Sequence, residues 1–357
     1  MKNAMKQAIQ SPSERATKRK RLCKANSIAK NSGSNGVTIS TIDVISDFDG
    51  KKFSKRCSDY SVEELNDIAK SDFDFFEKKA KTAWEKYNPS HKKMKPFHLM
   101  LRDSNISLRS RLSNRKALLA SSAAMMETYQ EAIATAPGNV FFLTFIVPEG
   151  VTEQDNPNPN INGVRSKIYR AIKKLGGDAF ISLQVETFSK KFSGEDFRRM
   201  DLHGHGLLFT DMSLSELKRA INELNARKAY RHSHGVRAIV AKEITPNTAA
   251  YLGSYTTRPP RYVKNIVHLK NDPKTFKLRG TTQGFTDEMS LKILYALHQI
   301  PIKDSVFSCG NHGRKIKDIW KEKYLANSSS RPLDHPSYDV DLSTRVLKRT
   351  ILNINNH

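Results

Sequence analysis

Apolar positions alternate regularly between residues 137 and 262, where they predict a series of short strands separated by helices. Strands are indicated where β-branched and aromatic residues alternate with polar ones, or form a short run closed by proline or glycine. On this basis four strands are predicted, at Val140–Val147, Asp178–Phe188, Asp201–Phe209 and Val236–Ile244. A charged, hairpin-like connection, SKKFSGEDFRRM, joins the second strand to the third.

Two helices are predicted to connect these strands. The first runs from about Ile161 to Leu175, between the first and second strands, and Gly176-Gly177 ends it. The second lies between the third and fourth strands and reaches about Lys228. Ser213 and Glu216 have the spacing of a capping box at its start.

The order β-α-β-β-α-β predicts an α+β domain with an antiparallel sheet in the ferredoxin-like, split βαβ arrangement. Right-handed crossovers place the first and third strands side by side at the centre, and the second strand flanks the third. Both connecting helices then cover one face of the sheet. The other face remains open for a ligand or a further helix.

The flanking sequence predicts helices around this domain. Ser61–Glu64 has the spacing of a capping box and begins a helix that runs to about Tyr87. Further helical stretches are predicted at about Ser107–Thr135, Asp287–Ile300 and Arg314–Leu325. The predicted organisation is a basic, largely flexible tail at 1–58, a helical accessory region at 59–136, the sheet domain at 137–262 and a mainly helical accessory region at 263–357.

The composition indicates a polyanionic partner. The 357 residues have a formal net charge of +24. Folding does not need this excess of Lys and Arg, whereas nucleic acid can be bound through many phosphate contacts at once. No membrane partner is expected, because no apolar run reaches about 18–20 residues and the N-terminus lacks the apolar segment of a secretory signal. The three cysteines indicate no disulfide framework, and the expected location is the cytoplasm.

Two histidines on the predicted third strand are the first candidates for chemistry. His203 and His205 are two residues apart, so on a strand they point to the same face, about 7 Å apart, and can share one cation. His232 and His234 repeat this spacing in the loop before the fourth strand, where phosphate contact or solvation is the simpler interpretation. We therefore predict a metal site at His203 and His205.

A carboxylate is expected to complete this site, because two imidazoles alone bind a hard cation weakly. Glu186 is the favoured candidate, since it lies on the second strand, beside the histidines. Three other carboxylates stay open as alternatives: Glu195, Asp196 and Asp201. For each of the four, an ordinary surface position is the competing interpretation.

Two tyrosines lie on the helix that Thr245 and Pro246 begin after the fourth strand. Tyr251 and Tyr255 are four residues apart and share one face of the helix, with Arg258 near the next turn. A phenol with a pKa of about 10 is a poor nucleophile at neutral pH, and a nearby cation stabilises the phenolate. Tyrosines at this spacing also commonly pack a helix onto a sheet, so the pair gains meaning only beside the histidines.

Together these motifs resemble the HUH endonucleases and, among them, the two-tyrosine rolling-circle replication initiators of phages and plasmids. The first family motif resembles Phe142–Phe145, the second Leu202–Leu208 and the third Tyr251–Tyr255. The resemblance covers residues 140–262, about a third of the chain. It implies that the region at 137–262 is the catalytic domain.

The resemblance implies a metal-dependent, site-specific endonuclease and strand transferase that acts on single-stranded DNA at a replication origin. His203, His205 and Glu186 would hold Mg²⁺ or Mn²⁺. Tyr251 would attack the scissile phosphate to give a 5′-phosphotyrosine link and a free 3′-hydroxyl primer, and Tyr255 would serve the second transfer, which rejoins the ends. A host helicase and polymerase are implied as partners, because the chain has no Walker A motif.

Two positions depart from the family pattern. Gly204, between the histidines, stands where the family usually has a bulky apolar residue, and it is expected to weaken packing against the covering helices. Ser254 stands where the family usually has a lysine, three residues after the first tyrosine. A nearby cation would have to make the DNA contact of the missing lysine, and the candidates are Arg258, Lys242 and Lys264.

Other classes of protein share some of these features. A Y2-type HUH transposase or a mobilisation relaxase uses the same chemistry on different DNA ends. An RRM-like RNA-binding protein has the same β-α-β-β-α-β order, binds without a metal and stacks bases on an open sheet face. It is the non-enzymatic alternative.

Overall fold

The structure is a computed structural model that describes residues 57–86, 111–152, 157–192, 195–230, 237–259, 262–269, 272–284 and 286–329. All of these residues belong to one structural unit, which spans residues 45–357. The tail predicted at 1–58 lies outside the described residues except for its last two positions. The pair His232 and His234 also lies outside them.

Among the described residues, eight strands form one sheet: β1 (Asn139–Phe145), β2 (Val151–Thr152), β3 (Asp178–Phe192), β4 (Glu195–Thr210), β5 (Ile239–Glu243), β6 (Tyr262–Leu269), β7 (Asp272–Gly284) and β8 (Val306–Cys309). The main order is β5-β1-β4-β3-β6-β7, while β2 pairs with β4 and β8 pairs with β3. Neighbouring strands are antiparallel except β3 and β6, which run parallel. With the helices that follow, this sheet confirms the α+β class.

Eight helices accompany the sheet in the described part of the chain: α1 (Val62–Lys86), α2 (Arg115–Ala134), α3 (Ile161–Leu175), α4 (Leu214–Ala226), α5 (Pro246–Tyr255), α6 (Asp287–His298), α7 (Ile302–Ser305) and α8 (Gly310–Ser329). The predicted start of α4 and the predicted stop of α3 are confirmed, while α4 ends at Ala226, two residues before the predicted end. Ser213 and Glu216 form the capping box of α4, and α3 ends at Gly176, whose φ is 67°. None of these helices combines the length and apolar character that a membrane crossing requires.

The two faces of the sheet differ in what covers them. We call the face to which His203 and His205 point the histidine face, and the opposite one the helix face. On the helix face, α3 packs against β4 and α4 against β5. On the histidine face, α5 and α2 form the cover, and a Cβ at Gly253 of α5 would lie only 2.7 Å from the Met125 carbonyl oxygen of α2. Further helices therefore close the face that the sequence left open.

Four strands were not predicted from the sequence, one of which is the two-residue strand β2. β6, β7 and β8 lie in the region expected to be mainly helical, which also contains α6, α7 and α8. The connection predicted between the second and third strands is also mostly paired, because β3 extends to Phe192 and β4 begins at Glu195. Its charged residues gave no apolar alternation, and the pairing itself supplies the strand structure. The boundaries at 136 and 262 stay predictions, and described residues on both sides of each belong to one unit.

Candidate metal centre

The centre of the histidine face holds two imidazoles in contact. His203 and His205 are both buried on β4, and their Nε2 atoms lie 3.0 Å apart. The ring centroids are 4.7 Å apart and the ring planes are almost perpendicular, at 87°. Because alternate residues of a strand share a face, the two-residue spacing alone brings both rings together.

Glu186 on β3 completes the group. Its Oε2 atom lies 3.4 Å from His203 Nε2, and its side chain is buried beside the histidines. One potential ligand atom from each of Glu186, His203 and His205 falls within 4.8 Å of the others. No other group of three metal-binding side chains with this property occurs in the described residues. The carboxylate favoured from the sequence therefore stands where a third ligand is needed.

The alternative carboxylates lie elsewhere along the same hairpin. Glu195 and Asp196 pair with Phe192 and Lys191 at the far end of β3 and β4, and about seven residues of strand, roughly 23 Å, separate Asp196 from His203. Asp201 is buried opposite Glu186 on the same face but is not one of the three grouped residues.

The donor set fits a divalent cation. Two imidazole nitrogens and one carboxylate form a ligand set that leaves coordination positions for water or a substrate. Burial also favours occupation, because a carboxylate taken out of water is stable only when it is paired or bound to a metal. The group could therefore hold a metal ion, although its donor atoms alone do not choose between metals.

Two residues of β1 orient His205. Thr144 pairs directly with His205 across the strands, and its Oγ1 atom lies 3.0 Å from His205 Nδ1. Phe142 stacks on the same imidazole, with centroids 5.7 Å apart and planes at 13°. A neutral His205 that donates its Nδ1 hydrogen to Thr144 presents the Nε2 lone pair to a cation. The sequence had placed both residues in a motif without assigning them a role.

Tyr255 reaches this group from the end of α5. Its hydroxyl donates to Glu186 Oε1 over 3.4 Å, and its ring centroid lies 5.1 Å from that of His205. The side chain is half-buried. The structure thus brings one of the two predicted tyrosines together with all three predicted ligands.

Tyr251 lies one turn earlier and has different neighbours. Its ring stacks on Tyr60, with centroids 6.0 Å apart. The Arg258 guanidinium carbon also contacts this ring and lies 5.4 Å from the Tyr251 centroid. The residue is buried in a small apolar cluster with Leu65, Met126 and Ala250. The contacts described for Tyr251 are therefore with residues outside the ligand group, and those of Tyr255 are with that group.

The end of α5 is fixed by hydrogen bonds from β3. The Gln184 side chain donates to the carbonyl oxygens of Tyr255, over 3.2 Å, and Arg258, over 2.8 Å. Ser182 donates to the Thr256 carbonyl oxygen over 3.4 Å. Gln184 and Ser182 stand on the histidine face opposite His203 and His205. Neither role was predicted from the sequence, because a polar residue on a strand has no local signature of its long-range partner.

The three candidate cations are placed differently. Arg258 is buried, and its Nε atom donates to Ser254 Oγ over 3.0 Å, so the serine at the departing position holds this guanidinium. Lys242 pairs with Phe142 and belongs to the histidine face of β5. Lys264 lies on β6, where the backbone pairs with Phe188 and Gly280. Its side chain lies outside the described part of the structure.

Gly204 has a packing role that differs from the one expected from the sequence. Its position faces α3 as expected, but a Cβ there would lie 2.6 Å from Ile168 Cδ1 and 3.2 Å from Ile181 Cγ2. The glycine therefore makes room for Ile168 and does not leave a gap. The expectation that it weakens packing is wrong, because the neighbouring side chains fill the space.

Comparisons of the chain with models of protein families, with characterised proteins and with solved structures find no significant match.

Proposed function

We propose that this chain is a metal-dependent endonuclease that nicks single-stranded DNA through a tyrosine, and that it initiates rolling-circle replication as the HUH proteins it resembles do. One observation carries the proposal: Glu186, His203 and His205 meet the Tyr255 hydroxyl in one buried group. The ferredoxin-like arrangement is part of it. The order β5-β1-β4-β3, with α3 and α4 as connections, supports that arrangement.

The residues of the chain supply most of the chemistry. A divalent cation bound by the three ligands, Mg²⁺ or Mn²⁺, would withdraw charge from a phosphate and stabilise a phenolate. Tyr255 attacks phosphorus, its Oη–P bond forms, and the P–O3′ bond breaks. The products are a 5′-phosphotyrosine link and a 3′-hydroxyl, which takes a proton from water. Glu186 Oε1 accepts the hydrogen bond of the phenol before the attack, takes its proton as the Oη–P bond forms, and passes that proton to the solvent that protonates the 3′ oxygen.

The geometry favours exchanging the roles that the sequence suggested for the tyrosines. Tyr255 is the first nucleophile in this proposal, because its hydroxyl already lies on the ligand group. Tyr251 serves the second transfer, in which the ends are rejoined. Arg258, against the Tyr251 ring, takes the place of the missing lysine and neutralises the phosphate during that step.

The cover over the histidine face argues against the RNA-binding alternative. An RNA-recognition module stacks bases on an open sheet face. Here the C-terminal end of α5 is hydrogen-bonded to Gln184 and Ser182 on that face. In the described part of the sheet, this helix end therefore occupies the surface on which a base would stack.

The test is covalent adduct formation. A pool of 3′-labelled, 40-nucleotide single-stranded DNA of random sequence is incubated with the protein and Mn²⁺, and adducts are resolved on a denaturing gel. The wild type and Tyr251→Phe are expected to form the adduct, and Tyr255→Phe is expected to lose it. Tyr169→Phe, at an exposed tyrosine of α3, is the matched control and should behave as the wild type does.

Two outcomes would overturn the proposal: no adduct with the wild type, or an adduct that persists when both Tyr251 and Tyr255 are phenylalanine. Loss in Tyr251→Phe with retention in Tyr255→Phe would restore the original order of the tyrosines. Sequencing the captured strands then locates the nick and distinguishes a replication origin from a transposon end or a transfer origin.

A further inference from the structure

A groove lies at the edge of the sheet where β8 pairs with β3, away from the metal centre. It runs between α3 and the segment formed by β8 and α8, and its volume is about 580 Å³. Ile168 of α3 meets Gly204, which points away from its neighbours His203 and His205. The α3 wall of the groove therefore lies on the opposite face of the sheet from the ligand group. The side chains that define its character are Arg165, Tyr169, Arg170, Phe307 and Lys317.

The helix that forms one wall is strongly basic. α3 contains five cationic residues and no acidic one: Arg165, Lys167, Arg170, Lys173 and Lys174. Ion pairs occupy two of them, since Arg165 lies 3.5 Å from Asp304 and Lys167 lies 2.7 Å from Glu149. In the described part of the chain, no carboxylate lies within ion-pair distance of Arg170 or Lys317, the two cations on opposite walls. Their charge is thus available to a ligand.

An aromatic ring stands between these charges. Tyr169 is 52% exposed, although a large ring is normally buried. It shares the outward side of α3 with Ser166 and Asn162, which are three and seven residues away at helical spacing and also line the groove. An exposed ring flanked by cations matches an unpaired base on a phosphate backbone, because the base stacks on the ring while the cations contact the phosphates.

We infer that this groove is a second binding site for single-stranded DNA, in which Tyr169 stacks on a base and Arg170 and Lys317 contact phosphates. The choice of DNA over RNA rests on the proposed function, whereas the choice of a single strand rests on the groove itself. The site holds a part of the strand remote from the nick. Long substrates therefore gain affinity from it, and oligonucleotides too short to pass around the sheet gain none.

Fluorescence anisotropy with labelled oligo(dT) of 40 nucleotides, without metal, measures this site directly. Loss of a stacking ring in Tyr169→Ala should weaken binding by roughly 5- to 100-fold. Tyr169→Phe keeps the ring and should restore it. In Arg170→Ala the log–log dependence of affinity on salt should fall by about 0.7, the value for one phosphate contact on a single strand, while Tyr169→Ala leaves that slope unchanged.

Lys174→Ala is the matched control, because it removes the same charge from an exposed position of α3 that does not line the groove. The inference is overturned if Tyr169→Ala binds as tightly as the wild type, if Lys174→Ala loses as much as Arg170→Ala, or if the losses occur with oligo(U) and not with oligo(dT). Failure of the nicking proposal would not change these results, since no step of the measurement needs metal, His203 or Tyr255.

Discussion

The two faces of the central sheet differ in the side chains that the same strands bury on them. On the histidine face, β3 and β4 bury polar and ionisable side chains: Gln184, Glu186, Asp201, His203 and His205. On the helix face, residues one position away are apolar or glycine, and they pack against α3. Because side chains alternate along a strand, the polar residues of the candidate site and the apolar residues that pack against α3 are neighbours in sequence but lie on opposite faces. Burying polar groups is unfavourable unless they bind one another or a ligand, and here they cluster.

This contrast predicts that substitutions on the two faces have separable effects. Changes on the histidine face should alter metal binding and leave the fold intact. Changes on the helix face should alter stability and leave the ligands in place.

The largest effect is expected from the ligands. His203→Ala or His205→Ala should lower Mn²⁺ affinity by more than the roughly 10- to 100-fold that loss of a supporting hydrogen bond costs. Isothermal titration calorimetry measures the Mn²⁺ affinity of each variant. His312→Ala, at a histidine whose ring contacts Phe209 edge to face at the other end of β4, is the control and should bind Mn²⁺ normally. Equal loss in the control would show that the ion binds elsewhere.

Glycines on the helix face should affect stability next most strongly. In Gly206→Ala the new Cβ would lie 2.1 Å from the Phe180 carbonyl oxygen, so backbone must move, and we expect a loss of about 3 kcal/mol in the free energy of unfolding. In Gly204→Ala the Cβ meets the flexible end of Ile168, so the expected loss is about 1 kcal/mol. Urea unfolding measures both. Adding Ile168→Val should relieve Gly204→Ala and not Gly206→Ala.

A buried histidine outside the metal centre predicts a pH effect. Burial, with Arg111 nearby, lowers the pKa of His298 to about 4, and its Nδ1 atom lies 3.2 Å from Ser113 Oγ. Above the ordinary pKa of 6.5 its contribution to stability is complete. As the pH falls from 7 to 5 the unfolded chain takes up the proton first, and we expect a loss of about 2 kcal/mol.

The measurement is the free energy of unfolding at pH 7 and pH 5 for the wild type and His298→Asn. The variant should lack most of this pH-dependent loss, because asparagine does not titrate. An identical decrease in both proteins would assign the effect to other groups.

The smallest effect concerns the support of a ligand. Thr144→Val removes the hydroxyl beside His205 Nδ1 with little change of shape. Mn²⁺ affinity should fall about 10-fold, because the imidazole loses the partner that fixes its orientation. Thr144→Ser keeps the hydroxyl and should retain the wild-type affinity. Unchanged binding in Thr144→Val would mean that Phe142 alone orients the ring.

Local patterns in the sequence were enough to predict the ligand group. A period of two places His203 and His205 on one face, and the antiparallel order places Glu186 on the adjacent strand. The capping residues likewise predicted the start of α4. Each of these inferences depends on residues close in sequence or on adjacent strands, where the geometry leaves few choices.

Contacts distant in sequence decided the rest. Helical spacing places Tyr251 and Tyr255 on one side of α5 but does not determine which reaches Glu186. That depends on the position of α5 along the sheet. The hydrogen bonds of Gln184 and the close approach of Gly253 to Met125 determine this position. The strands β6 and β8 were missed because they pair with β3, far along the chain, and β7 was missed with β6, its partner in a hairpin.

The bonds of Gln184 also have a mechanical consequence. Its amide ties the last turn of α5 to β3, two residues before Glu186, and β3 is in turn paired along its length with β4. A pull on any polymer attached to Tyr255 would therefore pass through the Gln184 amide to β3 and β4, the strands that also carry Glu186 and the two histidines. Under such tension the tyrosine and the ligands would move as one body, and the distance between them would hold.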